Sequence, residues 1–287
     1  MLKKIKNFIK KIMPLKIWIR YTYRKRCKRK LNLKKPRRYT EKLQHFKLYY
    51  KNDLLEIVTD KYKVNDYIQS KGLSKILNKR YGVYNNFKEI NFDELPDQFI
   101  IKFNKFSGYN KIIDDKNQIN LQSLEKIING WFKVDYSDFI DEPWYKDIKP
   151  KIIIEKLLKR NHKGDIPDYK FFCFDGKIEY VYVMTDYVDD HSLGRLNFFD
   201  KEFNKLPFRR KDFPPIIDKL KKPLNYELML EYAKILSKDF PQVRVDFYNI
   251  EGDIIFGELT FATAKGYINF EPDEFDFILG NKFKINY

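Results

Sequence analysis

The stretch that most constrains this chain is Val243–Phe261, V-R-V-D-F-Y-N-I-E-G-D-I-I-F-G-E-L-T-F. Two runs rich in Val, Ile and Phe flank a short polar turn, which is the pattern of a β-hairpin. A three-residue turn at Glu251-Gly252-Asp253 sets Asp246 directly opposite Glu258, and Arg244 opposite Thr260. Val243, Val245, Phe247, Ile255, Leu259 and Phe261 then share the other, apolar face. One face is core, and the other holds two carboxylates side by side. Like charges opposite each other on a sheet cost free energy until something neutralises them. A hard divalent cation such as Mg²⁺ would do so, since it takes one or two carboxylates together with substrate phosphates. Arg244 pairing with both acids on a solvated face would do so equally well.

Charge is distributed unevenly around this hairpin. The first 38 residues hold 17 of the 57 Lys and Arg and no acid, so the remaining chain carries 40 bases against 40 acids. Leu2, Ile5, Phe8, Ile9, Ile12 and Met13 stand at helical spacing among lysines, Pro14 interrupts them, and a basic run follows from Arg24 to Lys30. A basic amphipathic helix with Trp and Phe reads as a binder of anionic membrane surfaces. Nucleic-acid phosphates and packing on the body are the competing readings. Lysines break up the apolar stretch, so it does not read as a signal peptide. No apolar run reaches the roughly 18 residues that span a bilayer. Cys27 and Cys173 make no disulfide framework, and His45, His162 and His191 have no ligand spacing. A reducing cytoplasmic setting is therefore expected.

Further along, residues 39–80 read as helical, with one helix over Leu54–Gly72. A strand over Gln98–Phe103 delivers Lys102 into the turn Asn104-Lys105-Phe106-Ser107-Gly108. A lysine leaving a strand beside such a turn holds phosphates or simply ends the strand. An amphipathic helix is expected over Asn120–Lys133, and a buried strand over Lys151–Leu158 with one embedded acid, Glu155. Asp175-Gly176 between apolar runs marks a second hairpin carrying Lys170, which reaches either a buried anion or solvent. Another strand follows at Arg195–Asp200, then a Pro-rich charged surface loop over 205–223 and a helix over Asn225–Phe240. No phosphate-binding glycine loop, nucleophile elbow or zinc spacing is visible.

Taken in order, these segments resemble the TupA-like ATP-grasp family of teichuronopeptide and capsular-polysaccharide loci. The strings that carry the resemblance are Tyr39–Gln44, Asp60–Val64, Leu95–Lys102, Lys149–Glu155, Asp168–Lys177, Arg195–Asp200, Val243–Tyr248 and Phe256–Phe261. The most specific are D-Y-K-F-F-C-F-D-G-K and F-G-E-L-T-F. The resemblance implies an α+β, ATP-grasp fold: two lobes whose antiparallel sheets grip ATP, here preceded by a basic amphipathic N-terminal helix. It divides the chain into an arm over 1–38, a helical region over 39–97 and the lobes over 98–287.

By family position, Asp246 and Glu258 would hold Mg²⁺, with Thr260 standing where most relatives have a third metal ligand. Lys102 and Lys170 would contact ATP phosphates, assisted by Ser107 and Gly108 of the turn, and Arg244 would contact the phosphoryl group in transfer. Glu155, Lys156 and Leu157 would hold the adenine edge. Phe106 stands where the family has small residues and is expected to crowd the phosphate-covering loop, with Lys105 replacing an imidazole contact. The implied reaction is carboxylate–amine ligation through an acyl phosphate, on a carboxylate and an amine drawn from glycan or lipid-linked precursors at the inner membrane face. A glycosyltransferase using a nucleotide sugar is the alternative, and nucleic acid is not an expected partner.

Overall fold

The computed structural model describes residues 13–162, 164–188 and 190–287. The chain divides into two compact units, one formed by Asn52–Leu158 and the other by Lys159–Tyr287 together with the described residues before Asn52. These divisions do not coincide with the boundaries expected at 38 and 97.

The first unit is built on β1 (Arg80–Tyr84), β2 (Phe99–Phe103), β3 (Asn110–Ile113) and β4 (Ile152–Lys156), in the order β1-β4-β2-β3 and antiparallel throughout. Alternation in β2 buries Phe99, Ile101 and Phe103, which share a core with Leu124, Ile128 and Trp131 of the helix Leu121–Phe132. Asn120 caps that helix by accepting the Ser123 N–H at 2.9 Å. The single helix expected over Leu54–Gly72 is instead two, Leu54–Thr59 and Val64–Ser70. They part at Asp60, which is extended and buried. Its carboxylate accepts the Tyr62 N–H at 2.8 Å and the Asn104 amide at 2.9 Å. Those local bonds give the backbone an alternative to helix, which periodicity alone does not register.

The second unit contains β5 (Asp168–Phe174), β6 (Lys177–Thr185), β7 (Arg195–Phe199), β8 (Arg209–Arg210), β9 (Gln242–Ile250), β10 (Asp253–Thr260) and β11 (Phe270–Glu271). Five of these form an antiparallel sheet in the order β10-β9-β5-β6-β7, while β8 pairs with β11. The β9–β10 hairpin closes on two residues, Glu251 and Gly252, with φ of 53° and 102°, not on the three expected. A bulge between Phe256 and Glu258 supplies the missing residue, so Glu258 still faces Asp246 and Thr260 still faces Arg244. Gly257 occupies the bulge because a Cβ there would meet the Asp246 carbonyl oxygen at 3.0 Å. The bulge also reverses the faces before it. Ile254 and Phe256 are buried, and Ile255, expected in the core, instead lies opposite Tyr248 and is only partly buried.

One sheet face packs on the helix Tyr226–Ser237, which buries Met229, Ala233 and Leu236, and whose Tyr226 ring lies 6.0 Å from Phe171. The other face meets the helix Tyr39–Tyr49, with Tyr39 edge-on to Phe172 at 6.1 Å. The N-terminal segment belongs to this unit. Of the helix expected over Leu2–Met13, residues 1–12 lie outside the described residues. From Leu15 to Cys27 the chain is helical and buries Trp18, Ile19, Tyr23 and Cys27. The Tyr23 hydroxyl meets the Thr40 hydroxyl at 2.8 Å, and both Arg29 and Arg38 bond Asp273 at 2.7 Å. Ile17 and Tyr21 remain more than half exposed, with Arg20 and Arg24 on the same stripe. Among the described residues no helix is long and apolar enough to cross a membrane.

Candidate functional site

Strand register assembles the charged cluster of the second unit. Glu258 of β10, Asp246 of β9, Lys170 of β5 and Tyr182 of β6 are consecutive cross-strand partners. Directly paired residues project to one face, so these four side chains form a row across the sheet. Asp168, Arg244 and Thr260 lie two positions along their strands and therefore project to the same face.

The contacts follow from that placement. Lys170 bonds Asp168 and also reaches Asp246 Oδ2 at 2.6 Å. Arg244 grips Asp246 through two bonds, Nε to Oδ1 at 2.7 Å and Nη2 to Oδ2 at 2.6 Å. The same Nη2 donates to Glu258 Oε1 at 3.1 Å and to Thr260 Oγ1 at 2.9 Å, while Nη1 donates to the Tyr182 hydroxyl at 3.0 Å and to Thr263 Oγ1 at 3.2 Å. Thr260 in turn donates to Glu258 at 2.9 Å. Arg244 therefore does pair with both acids. It does so at a buried site: Asp246 has no exposed side-chain surface, whereas the Glu258 side chain is 45% exposed.

Burial works against the charge of Lys170, but Asp168 and Asp246 outweigh it and hold the ammonium above its ordinary range. Arg244 is held up in the same way by Asp246. Asp168 is pushed up to about 6, mainly by burial, with Lys170 opposing the shift and Asp246 adding to it. Its Oδ1 is buried with no hydrogen-bond partner among the described residues. The three carboxylates exceed the two cations by one charge.

That donor set fits Mg²⁺. Asp246 and Glu258 present hard oxygens on adjacent strands, the local charge is negative, and Glu258 is open to solvent. Among the described residues no group of three or more His, Cys, Asp and Glu is arranged as a complete cage. An ion that completes its shell with phosphate oxygens does not require one. The Thr260 hydroxyl is already committed to Glu258 and Arg244.

In the first unit, Lys102 Nζ bonds Glu155 Oε2 at 2.7 Å, so the lysine and the embedded acid are one pair. Lys156 is exposed at the end of β4 and Leu157 lies just past it, partly buried. Ser107 and Gly108 are exposed in the turn after β2. Phe106 does not crowd that turn. It is 2% exposed and stacks on Phe139 at 3.9 Å, with Tyr145 edge-on at 5.5 Å. A φ of 67° turns the ring inward. The Lys105 ammonium is directed to the carbonyls of Lys146 and Ile148, each at 3.2 Å.

Asp168, Tyr182 and Thr263 join the cluster without having been singled out by sequence. Asp168 and Tyr182 were legible in principle: once Lys170 is placed on a hairpin, alternation puts Asp168 on its face and register puts Tyr182 opposite. Thr263 follows the last strand and has no such signal.

A family model described as TupA-like ATPgrasp matches residues 41–284. A search among curated proteins returned no match. Among solved structures, the chain is similar to D-alanine–D-alanine ligase from Bacillus anthracis, at 18% identity and a TM-score of 0.44, over 72% of this chain and 58% of that one. It is also similar to D-alanine–D-alanine ligase from Helicobacter pylori, at 15% identity and 0.40, over 79% and 62%. For N5-carboxyaminoimidazole ribonucleotide synthetase in its ADP complex the figures are 11% and 0.46, over 77% and 50%. The chain thus spans half to three-fifths of the length of these structures.

Proposed function

The chain belongs to the TupA-like ATP-grasp family, and on that premise we propose that it is an ATP- and Mg²⁺-dependent carboxylate–amine ligase acting in cell-surface polysaccharide assembly. The observation that carries the reading is the row Glu258–Asp246–Lys170 with Arg244 across it. Phosphoryl transfer needs little covalent chemistry from a protein; it needs charge neutralised and groups held in place. Asp246 and Glu258 are the residues to hold Mg²⁺, which when bound screens the phosphate charge. Lys170, kept charged by two acids, suits a phosphate oxygen. Arg244 carries five donors in a rigid fork and suits the phosphoryl group in transfer. In the first unit, Lys102 and the exposed Ser107-Gly108 turn suit phosphates, and Glu155, Lys156 and Leu157 suit the adenine edge. A substrate carboxylate attacks the γ-phosphorus and ADP leaves. An amine then attacks the acyl carbon and inorganic phosphate leaves, giving an amide.

We further place the protein at an anionic membrane surface. The exposed Ile17 and Tyr21, flanked by Arg20 and Arg24 on a helix without an acid, support that placement. Cutting the chain after residue 38 would strip buried Trp18, Ile19 and Tyr23 from the body, so the surface substitutions Arg20→Glu and Arg24→Glu are the cleaner test. They should release the protein from phosphatidylserine vesicles, and undiminished binding would sink the placement.

The ligase reading is tested by thermal unfolding with ATP and with UDP-sugars, each with and without Mg²⁺. A ligand at ~100 times its dissociation constant stabilises by about 2.7 kcal/mol. A Mg-ATP shift that is lost in Glu258→Gln, followed by ADP release dependent on both a carboxylate and an amine, is the expected result. A shift with a UDP-sugar alone would overturn it.

A further inference from the structure

A cavity of about 560 Å³ opens in the second unit where β8 meets β11, lined by Arg209, Arg210, Lys211, Asp212, Phe213 and Glu271 among others. This volume suits a sugar-sized ligand. Three consecutive bases stand at it. Arg210 is only 6% exposed, yet its carboxylate partner, Asp212, is 52% exposed, with bonds of 3.0 and 2.5 Å. Arg209 and its partner Glu271 are both about half exposed. The exposed Arg209–Glu271 pair is of the kind that is held weakly, and Asp212, the half-exposed partner of buried Arg210, can turn to solvent. The guanidinium of Arg210 sits 5.0 Å from the Phe213 ring centre and 6.0 Å from that of Tyr182.

That last ring connects the cavity to the charged cluster, because the Tyr182 hydroxyl accepts from Arg244 at 3.0 Å. The cavity is therefore one aromatic ring away from the residue assigned to the transferring phosphoryl group. His191, whose ring meets Phe213 edge-on at 5.5 Å, experiences both places at once. Burial lowers its pKa first, and the charges of Lys170, Arg210 and Arg244 lower it further, with Asp212 opposing. His191 thus lies within reach of cationic side chains from both the cluster and the cavity.

We propose that this cavity binds an anionic group carried by one of the two substrates joined by the ligase, a carboxylate or a phosphate monoester on a sugar-sized molecule, through Arg209, Arg210 and Lys211. The proposal rests on the ligase reading for the word substrate, but the anion site itself stands on the cavity's own residues. Arg210 supplies a buried fork, Arg209 and Lys211 supply mobile charges at the rim, and Phe213 supplies an apolar wall for a ring. Asp212 and Glu271 hold the arginines in place while the cavity is empty and swing to solvent when an anion takes their donors.

The test uses the full-length protein and three probes: glucuronate, glucose 1-phosphate and neutral glucose. Titration calorimetry should show binding of one or both anions and none of glucose, and the stronger anion identifies the group as carboxylate or phosphate. In the double variant Arg209→Gln/Lys211→Gln, which changes only exposed side chains, affinity for that anion should fall about ten-fold or more, as expected for lost charge-assisted bonds. The Mg-ATP thermal shift of the double variant should equal that of the wild type. Arg210→Lys should retain part of the binding, and Arg210→Gln should lose it. Absence of binding by both anions, or equal binding by wild type and double variant, overturns the proposal. Variant-sensitive anion binding in a protein with no Mg-ATP response would instead sink the ligase reading and leave the anion site standing.

Discussion

Each unit sets a lysine from a central strand against an acid on the next strand, and the two pairs differ in every respect that governs energy. Lys102 and Glu155 are 27% and 11% exposed, and the pair is joined by one bond of 2.7 Å. Lys170 and Asp246 are 9% and 0% exposed, sit directly opposite each other, and are embedded with Arg244, Asp168 and Glu258 in one network. A part-exposed pair is worth up to about 1 kcal/mol. A buried one can be close to neutral as a whole and still costly to halve, because the survivor is a desolvated charge without a partner. The contrast teaches that the same two residue types make a removable contact in one sheet and an obligate one in the other.

The largest effect expected is therefore from Asp246→Asn. It strips Lys170 and Arg244 of their shared counter-ion, and about 3–5 kcal/mol of stability should go with it, read by urea unfolding. A loss below 1 kcal/mol would mean that Asp168 and Glu258 already satisfy both cations. Phe106→Ala should come next. The ring is buried and stacked on Phe139, and truncating a core Phe costs about 3–5 kcal/mol, with no relief of the left-handed backbone because alanine keeps the Cβ. If stability is unchanged while nucleotide binding falls, the ring is acting at the turn and not in the core. Lys102→Met should leave stability within about 1 kcal/mol yet reduce the thermal shift produced by Mg-ATP. Equal losses of stability in Lys102→Met and Asp246→Asn would erase the distinction between the two pairs.

The same contrast governs what could be read without coordinates. The Asp246–Glu258 register is legible because side chains alternate with a period of two, so the hairpin alone brings the acids together. The turn length is not, because a two-residue turn plus a bulge at Gly257 produces the same pairing near the acids as a three-residue turn, and the two differ in which faces Ile254, Ile255 and Phe256 take. Phe106 is misplaced by any local reading. Its environment is made by Phe139 and Tyr145, more than thirty residues away, and a turn that ordinarily prefers small residues gives no hint of that pocket. Arg210 is hidden for a related reason. It lies in a stretch of prolines and charges with no periodicity, and it is buried opposite Phe270 and beside the rings of Phe213 and Tyr182, of which Phe270 and Tyr182 are distant in sequence. The N-terminal helix shows the limit of charge as a guide: its bases suggest a membrane-associating arm and leave packing on the body open, while the apolar positions between them, Trp18, Ile19 and Tyr23, are core.

The smallest expected effect probes how far the field of the buried cluster extends. His191 has a pKa below its ordinary value, from burial first and then from Lys170, Arg210 and Arg244. A histidine depressed in the folded state binds its proton more readily when unfolded. Its contribution to stability is therefore present above the unfolded value, about 6.5, and is lost as pH falls through the folded value. Between pH 7.5 and 5 the wild type should lose slightly more thermal stability than His191→Gln. The imidazole should titrate by NMR with a midpoint below that of an unstructured peptide. Arg210→Gln removes one of the three cations and should raise that midpoint, and so should glucuronate if it fills the cavity, since either weakens the same positive potential. A midpoint that ignores both changes would confine the influence of the cluster to the row Glu258–Asp246–Lys170. One that follows them would make His191 a spectroscopic reporter of charge at Arg210, on a residue that contacts no proposed metal ligand.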